Sequence, residues 1–210
     1  MKHLGTNVDL TSKDEDKKSE RKAWVNCFEI KGVLPCFTTP GYIRIVAQAD
    51  NLLDEIISIL ALKYPPGKVE YFEELNELTL KIHNRLINLF PSGKITMTNT
   101  KDLDEARTVL EEIKNMINEA YIDFLKYGKP KSEDLQAIKH LTWLNLYKYL
   151  PRTNCGACGY ATCMAFTMNV LQGNAKLSQC TPLRDQKYST NVEEIKKILG
   201  PYLLQSLGWK

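Results

Sequence analysis

Four of the six cysteines in this chain fall in one short run toward its C-terminal end, with the spacing Cys155-x2-Cys158-x4-Cys163-x16-Cys180. This run restricts the fold more than any other feature, because four thiols that share a centre dictate the path of every loop between them. Two thiolates separated by two residues can turn onto one metal centre, and Gly156 and Gly159 give the backbone freedom for amide groups to point at sulfur. Cys163 opens an apolar helical pattern, so its sulfur is expected near the positive end of a helix, which favours thiolate. Cys180 closes the site from a distance.

Four thiolates could hold zinc, an iron–sulfur cluster or two disulfides. Structural zinc sites usually come as two C-x2-4-C knuckles, whereas the second half here offers isolated Cys163 and Cys180. Uneven spacing with glycine-rich turns suits an iron–sulfur cluster better. Disulfides carry least weight, since no secretory signal precedes the chain and 210 residues need no staples.

The run LPRTNCGACGYATCMAFTMNVLQGNAKLSQCTPL, residues 150–183, resembles the small 4Fe-4S domain at the N-terminus of the large subunit of the corrinoid iron–sulfur protein. The same module occurs in the B subunit of Rnf electron-transport complexes. The shared features are the Leu-Pro ahead of the motif, Thr153-Asn154, the CGxCG core and Pro182 after the last cysteine. The resemblance implies one 4Fe-4S cluster ligated by Cys155, Cys158, Cys163 and Cys180, with no departure at any ligand.

The whole composition, 43% hydrophobic and 25% charged, is that of an ordinary globular protein with room for one large or two small cores. The apolar run Ile56–Leu62 is too short to cross a bilayer and the N-terminus lacks an h-region, so a soluble protein of a reducing cytoplasm is expected, and an oxygen-labile cluster further suggests an anaerobe. Charge is unevenly spread: residues 1–22 carry six positive and five negative side chains, residues 23–128 eleven and fifteen, and residues 129–210 eleven and five. Part of the basic excess would offset the roughly −2 charge of a thiolate-bound cluster. The remainder could meet an acidic redox partner.

Residues 1–22 read as a flexible tail, residues 23–128 as an α+β adaptor domain, and residues 129–210 as a helical cluster domain, with the boundary in the turn-prone stretch 128–132. Ala23–Pro40 reads as irregular, with Trp24, Phe28 and Phe37 available to pack and Cys27 and Cys36 as small buried hydrophobes. A strand over 43–49 then leads to a helix over 52–62 with apolar positions at helical spacing. Four strands follow, at 68–72, 78–82, 85–90 and 94–99, and an amphipathic helix from Asp102 to about Asn118. The order β-α-β-β-β-β-α predicts a curved antiparallel sheet with helices on one face. A further helix is expected from Ser132 to Tyr149, and a last one over 191–207 that Gly200-Pro201 breaks or kinks. His83 and His140 read as structural.

With YIRIVAQAD at its front and LFPSGKITMTNTKDLDEA at its back, the sheet resembles one half-repeat of the TATA-binding protein fold. By that resemblance Phe90 matches one DNA-wedging phenylalanine, Leu75 stands near the other, and Val46 and Thr98 match central contacts, while Arg44 replaces the expected Asn. A single half-saddle with an acidic balance argues against nucleic acid and for a protein-docking sheet.

The expected function is therefore a 4Fe-4S electron-transfer or accessory protein whose partner, by the first resemblance, is a corrinoid protein or methyltransferase of anaerobic one-carbon metabolism. The alternative is an iron–sulfur redox-sensing regulator that binds nucleic acid through the sheet. No phosphate-binding loop, nucleophile elbow or acid/base pair points to catalysis, and four cysteine ligands leave no open iron.

Overall fold

The computed structural model describes residues 23–209, so the expected tail over 1–22 lies outside the described residues. Six strands form one antiparallel sheet: β1 (Phe28–Pro35), β2 (Ile43–Ala49), β3 (Val69–Phe72), β4 (Glu77–Ile82), β5 (Arg85–Leu89) and β6 (Lys94–Thr100), in the spatial order β1-β2-β6-β5-β4-β3. The molecule is α+β, as the sequence predicts, but with one strand more. The segment read as irregular supplies β1, which pairs along the whole of β2 from Phe28 opposite Ala49 to Pro35 opposite Ile43. A register shift between Ile30 and Gly32 interrupts it.

Alternation along each strand sets the two faces of the sheet. Ile45, Ala47 and Ala49 of β2, Leu78 and Leu80 of β4, Ile87 and Leu89 of β5, and Ile95 and Met97 of β6 are buried against helices. The opposite face is open. Across its middle Thr79 donates to Asn88 Oδ1 at 2.8 Å and Asn88 Nδ2 to Thr96 Oγ1 at 3.0 Å.

Two helices cover the buried face. α1 (Asp54–Lys63) is buried at Ile56, Ile57, Ser58, Ile59, Leu60, Ala61 and Leu62, that is, on every side. α2 (Leu103–Tyr127) begins at Asp102, whose carboxylate accepts the Glu105 N–H at 2.9 Å, and runs past the expected end at Asn118 to stop at Gly128. Ala106, Val109, Leu110, Ile113, Ile117 and Ala120 form its buried stripe.

The remaining chain is helical. The single helix expected over 132–149 is two, α3 (Ser132–His140) and α4 (Trp143–Tyr147), because Thr142 caps a new start by accepting the Asn145 N–H at 3.3 Å. α5 (Cys163–Leu171) and α6 (Ser189–Ser206) follow, and α6 is kinked where Gly200 takes φ 64° and ψ 176°. α1 packs against α2, β3 and β4 on one side and against α3 and α6 on another, which is why it needs no polar face.

Three sequence expectations for the N-terminal region are corrected. Phe37 is 83% exposed and lies beneath the Arg44 guanidinium, 3.7 Å from its ring centroid, rather than in the core. Cys27 is exposed and Cys36 half-buried, so neither is a core residue. Both sit at the ends of β1, an edge strand with solvent on one side.

Candidate metal centre

The cysteine loop is built around two hydrogen-bonding side chains. Thr162 caps α5 by accepting the Ala165 N–H at 3.1 Å, which fixes Cys163 as the first helical residue. Asn154, in the left-handed region at φ 49°, reaches across the loop so that its Oδ1 accepts the Cys163 N–H at 2.9 Å. The segment holding the first two cysteines is thereby tied to the helix that holds the third. Gly156 and Gly159 take φ values of 71° and 86° with open space where a side chain would lie, and the Gly159 N–H bonds back to the Gly156 carbonyl at 2.9 Å.

Cys180 arrives from the far side between two short 3-10 turns, Leu177–Gln179 and Thr181–Arg184. The Leu177 N–H donates to the Leu207 carbonyl at 2.7 Å, anchoring this approach on the end of the chain's last helix. Leu177 and Leu183, both buried, fasten the loop on either side of Cys180.

Exposure falls across the four thiols. Cys155 is exposed, Cys158 half-buried, and Cys163 and Cys180 buried. Their acidities follow these surroundings. The backbone N–H of Ala157 foremost, with the Thr153 hydroxyl, holds the Cys155 thiol below its ordinary range. Burial pushes the Cys180 thiol up to about 11, opposed by the Leu183 N–H and reinforced by the neighbouring sulfurs of Cys163, Cys158 and Cys155. Cys180 is thus near enough to the other three cysteines for their charge to act on it. Yet among the described residues no three Cys, His, Asp or Glu side chains are grouped tightly enough to hold a single metal ion. A donor set made only of thiols and flanked by amide donors fits an iron–sulfur cluster.

Sequence reasoning named the four cysteines but not the roles of Asn154, Thr162 and the Leu183 N–H. Asn ahead of the first cysteine was a readable signal, since Asn tolerates positive φ. The Leu183 amide carries no side-chain signature at all. Of the other candidates, His83 Nε2 pairs with Glu112 at 2.9 Å and His140 lines a shallow cavity with Lys148 and Tyr149. Cys27 and Cys36 lie in the sheet region, outside the group of cysteines that act on Cys180.

Comparison with known proteins agrees with this chemistry. Residues 150–182 match the protein family described as "Putative Fe-S cluster". The gamma subunit of the acetyl-CoA decarbonylase/synthase complex of Methanosarcina acetivorans is 44% identical over 63 residues, 30% of this chain and 14% of the relative. The corresponding subunit of Methanocaldococcus jannaschii is 38% identical over 63 residues, 30% of this chain and 13% of the relative. The corrinoid/iron-sulfur protein large subunit of Moorella thermoacetica is 51% identical over 45 residues, 21% of this chain and 10% of the relative. The chain thus spans about a seventh or less of the length of these relatives. No solved structure matches, so the likeness of the sheet to a TATA-binding half-repeat stands on its quoted residues alone.

Proposed function

We propose, from the premise that residues 150–182 form an iron–sulfur cluster domain, that Cys155, Cys158, Cys163 and Cys180 hold one 4Fe-4S cluster and that the chain is an electron-transfer or accessory protein. The observation that carries this reading is the set of four free thiols, graded from exposed Cys155 to buried Cys180, with the other three acting on Cys180 by their charge. Such a cluster accepts and gives up one electron at a time. The chain's own residues would then hold the donors in place through Asn154 and Thr162, exclude water behind Cys163 and Cys180, and leave the Cys155 edge open for a partner to approach.

The relatives are named as a subunit of the acetyl-CoA decarbonylase/synthase complex and as a corrinoid/iron-sulfur protein, which supports our reading of a protein partner, a corrinoid protein or methyltransferase of anaerobic one-carbon metabolism in a reducing cytoplasm. Residues 129–210 would be the cluster domain and residues 23–128 the adaptor that docks it. Among the described residues no helix is long and apolar enough to cross a membrane. The nucleic-acid alternative gains no support, since β2 already has neighbours on both edges, leaving no free edge there for a second half-saddle.

Two measurements test the proposal. Anaerobically reconstituted protein is expected to contain about four iron and four sulfide per chain, and each of the four Cys→Ala variants to lose most of both. The reduced protein should then deliver one electron to a corrinoid methyltransferase whose cobalt has drifted to the cob(II) state. Stoichiometric zinc in place of iron, or no electron transfer under strict anaerobiosis, would sink the reading.

A further inference from the structure

From Leu135 to Arg184 the sequence has no Asp or Glu, although the whole chain carries 25. Five cations lie in that stretch: Lys139, Lys148, Arg152, Lys176 and Arg184. Lys139 is spent on Glu73 of the sheet region at 2.8 Å. Among the described residues the other four have no carboxylate within ion-pair distance, as only Lys139 of the five appears in an ion pair. No acidic side chain within this stretch is available to neutralise them.

Two of these cations share a cavity beside Cys180. Lys176, Ser178, Arg184, Gln205, Ser206, Gly208 and Trp209 line a hollow of about 710 Å³ without one acidic side chain. The lysine stem lies over Gly208, where a side chain would come within 2.8 Å of it, and the Arg184 guanidinium donates to the Ser178 carbonyl at 3.3 Å. The fold thereby holds the lysine stem and the arginine guanidinium at the hollow. Elsewhere on the same domain Met164 and Met168, one turn apart on α5, are 41% and 39% exposed, adaptable apolar groups next to Cys163.

We infer that an acidic protein partner docks on the cluster domain at the hollow between Lys176, Arg184 and Trp209, which seats a carboxylate of that partner. The inference rests on the electron-carrier reading and specifies its partner. Compensation of the cluster's own charge is a poorer account of Lys176 and Arg184. Both are exposed, and water screens an exposed cation from a buried centre. Nucleic acid is the other polyanion such a surface could meet. The two cations of the hollow fall short of the roughly six to ten phosphate contacts of salt-sensitive duplex binders. A docked partner would receive or donate a single electron, leaving one cluster oxidised and the other centre reduced by the same charge.

The test is binding, so that it can fail separately from electron transfer. Holoprotein is titrated with a plant-type ferredoxin, a small acidic protein, and with basic cytochrome c of similar size, at 20 and 500 mM NaCl. The expected result is binding of ferredoxin only, weakened about tenfold or more by Lys176→Glu and by salt. Lys176→Gln, which keeps the stem on Gly208, should give part of that loss, and Lys94→Glu on the sheet none. Iron content and visible absorption of each variant report whether the cluster domain is intact. Equal binding of both probes, an equal loss with Lys94→Glu, tighter binding of an oligonucleotide than of ferredoxin, or self-association that displaces ferredoxin would each overturn the inference.

Discussion

Asn154 stands one residue before the first cysteine in a backbone conformation that few side chains adopt, and its Oδ1 holds the Cys163 N–H at 2.9 Å. Ala at this position loses the bond and strains the left-handed turn, a combined cost of about 1–3 kcal/mol. Asn154→Ala should therefore assemble a cluster that leaves sooner on exposure to a chelator, and Asn154→Gly, which removes only the bond, should fall between it and the parent. Equal release rates in all three would show that the bond does not tension the loop. At the other end of the molecule Cys36 has a thiol pulled down to about 6, first by the Thr38 hydroxyl at 3.4 Å and then by the Thr38 N–H, with the Asn99 and Thr39 amides adding to it. A depressed pKa means that thiolate dominates above that point. In a Cys27→Ser background the alkylation rate of Cys36 should rise through about pH 6 and level off below pH 8. Thr38→Val should move that rise to higher pH; an unchanged midpoint would remove the hydroxyl as its cause. At this scale the four candidate cysteines were legible because their spacing alone marks them. The acidity of Cys36 was not, because it depends on amides from residues 38, 39 and 99 that only the folded hairpin brings together.

β1 shows how far element-level reading can go. Its apolar residues do not alternate cleanly, since the register shifts between Ile30 and Gly32, and Val33 and Leu34 are half-exposed at the sheet edge. A pattern defined by one buried face cannot announce a strand that has none along half its length. What fixes β1 is instead a side chain ninety residues away. Asn118 of α2 accepts the N–H groups of Trp24 and Val25 at 2.9 and 3.0 Å and donates to the Val25 carbonyl at 2.9 Å. Trp24 then lies on Tyr121, with ring centroids 4.8 Å apart. Asn118→Ala leaves those backbone groups unpaired in a partly buried place, at a cost of about 2–4 kcal/mol. In a urea titration the midpoint should fall accordingly, and amide exchange at Trp24–Ile30 should quicken while β4 and β5 keep their protection. Uniform loss across the sheet would mean that β1 is integral to its folding rather than clasped to its edge. The interior strands, by contrast, were legible from sequence because each alternates one buried and one open face. The extra length of α2 was also written in the chain, in the apolar residues that continue past Asn118 up to Gly128. The break before Trp143 needed only Thr142 to be weighed as a cap.

The whole molecule is held together by a helix that the sequence disguises. α1 is apolar on every side because it lies between the sheet with α2 and the helices α3 and α6, so its pattern carries no direction from which partners could be inferred. The same junction has a second contact where two turns meet. Gly67 follows Pro65-Pro66 after α1, and a side chain there would come within 2.9 Å of the Gln172 Cα and 3.1 Å of the Leu171 carbonyl at the end of α5. The helix that begins with Cys163 therefore ends against the turn that follows α1. Gly67 is not in the left-handed region, so Gly67→Ala tests the contact without straining its own backbone. Backbone on the far side cannot yield as a side chain would, and overpacking of this kind costs about 1–3 kcal/mol. The expected result is faster exchange at the C-terminal turn of α5 and earlier loss of iron on heating, with protection in β4, β5 and β6 retained. If iron is lost no earlier than in the parent, the seat of the cluster domain on α1 and its turn does not support the metal loop, and the stability of that loop must come from the residues around Cys180 alone.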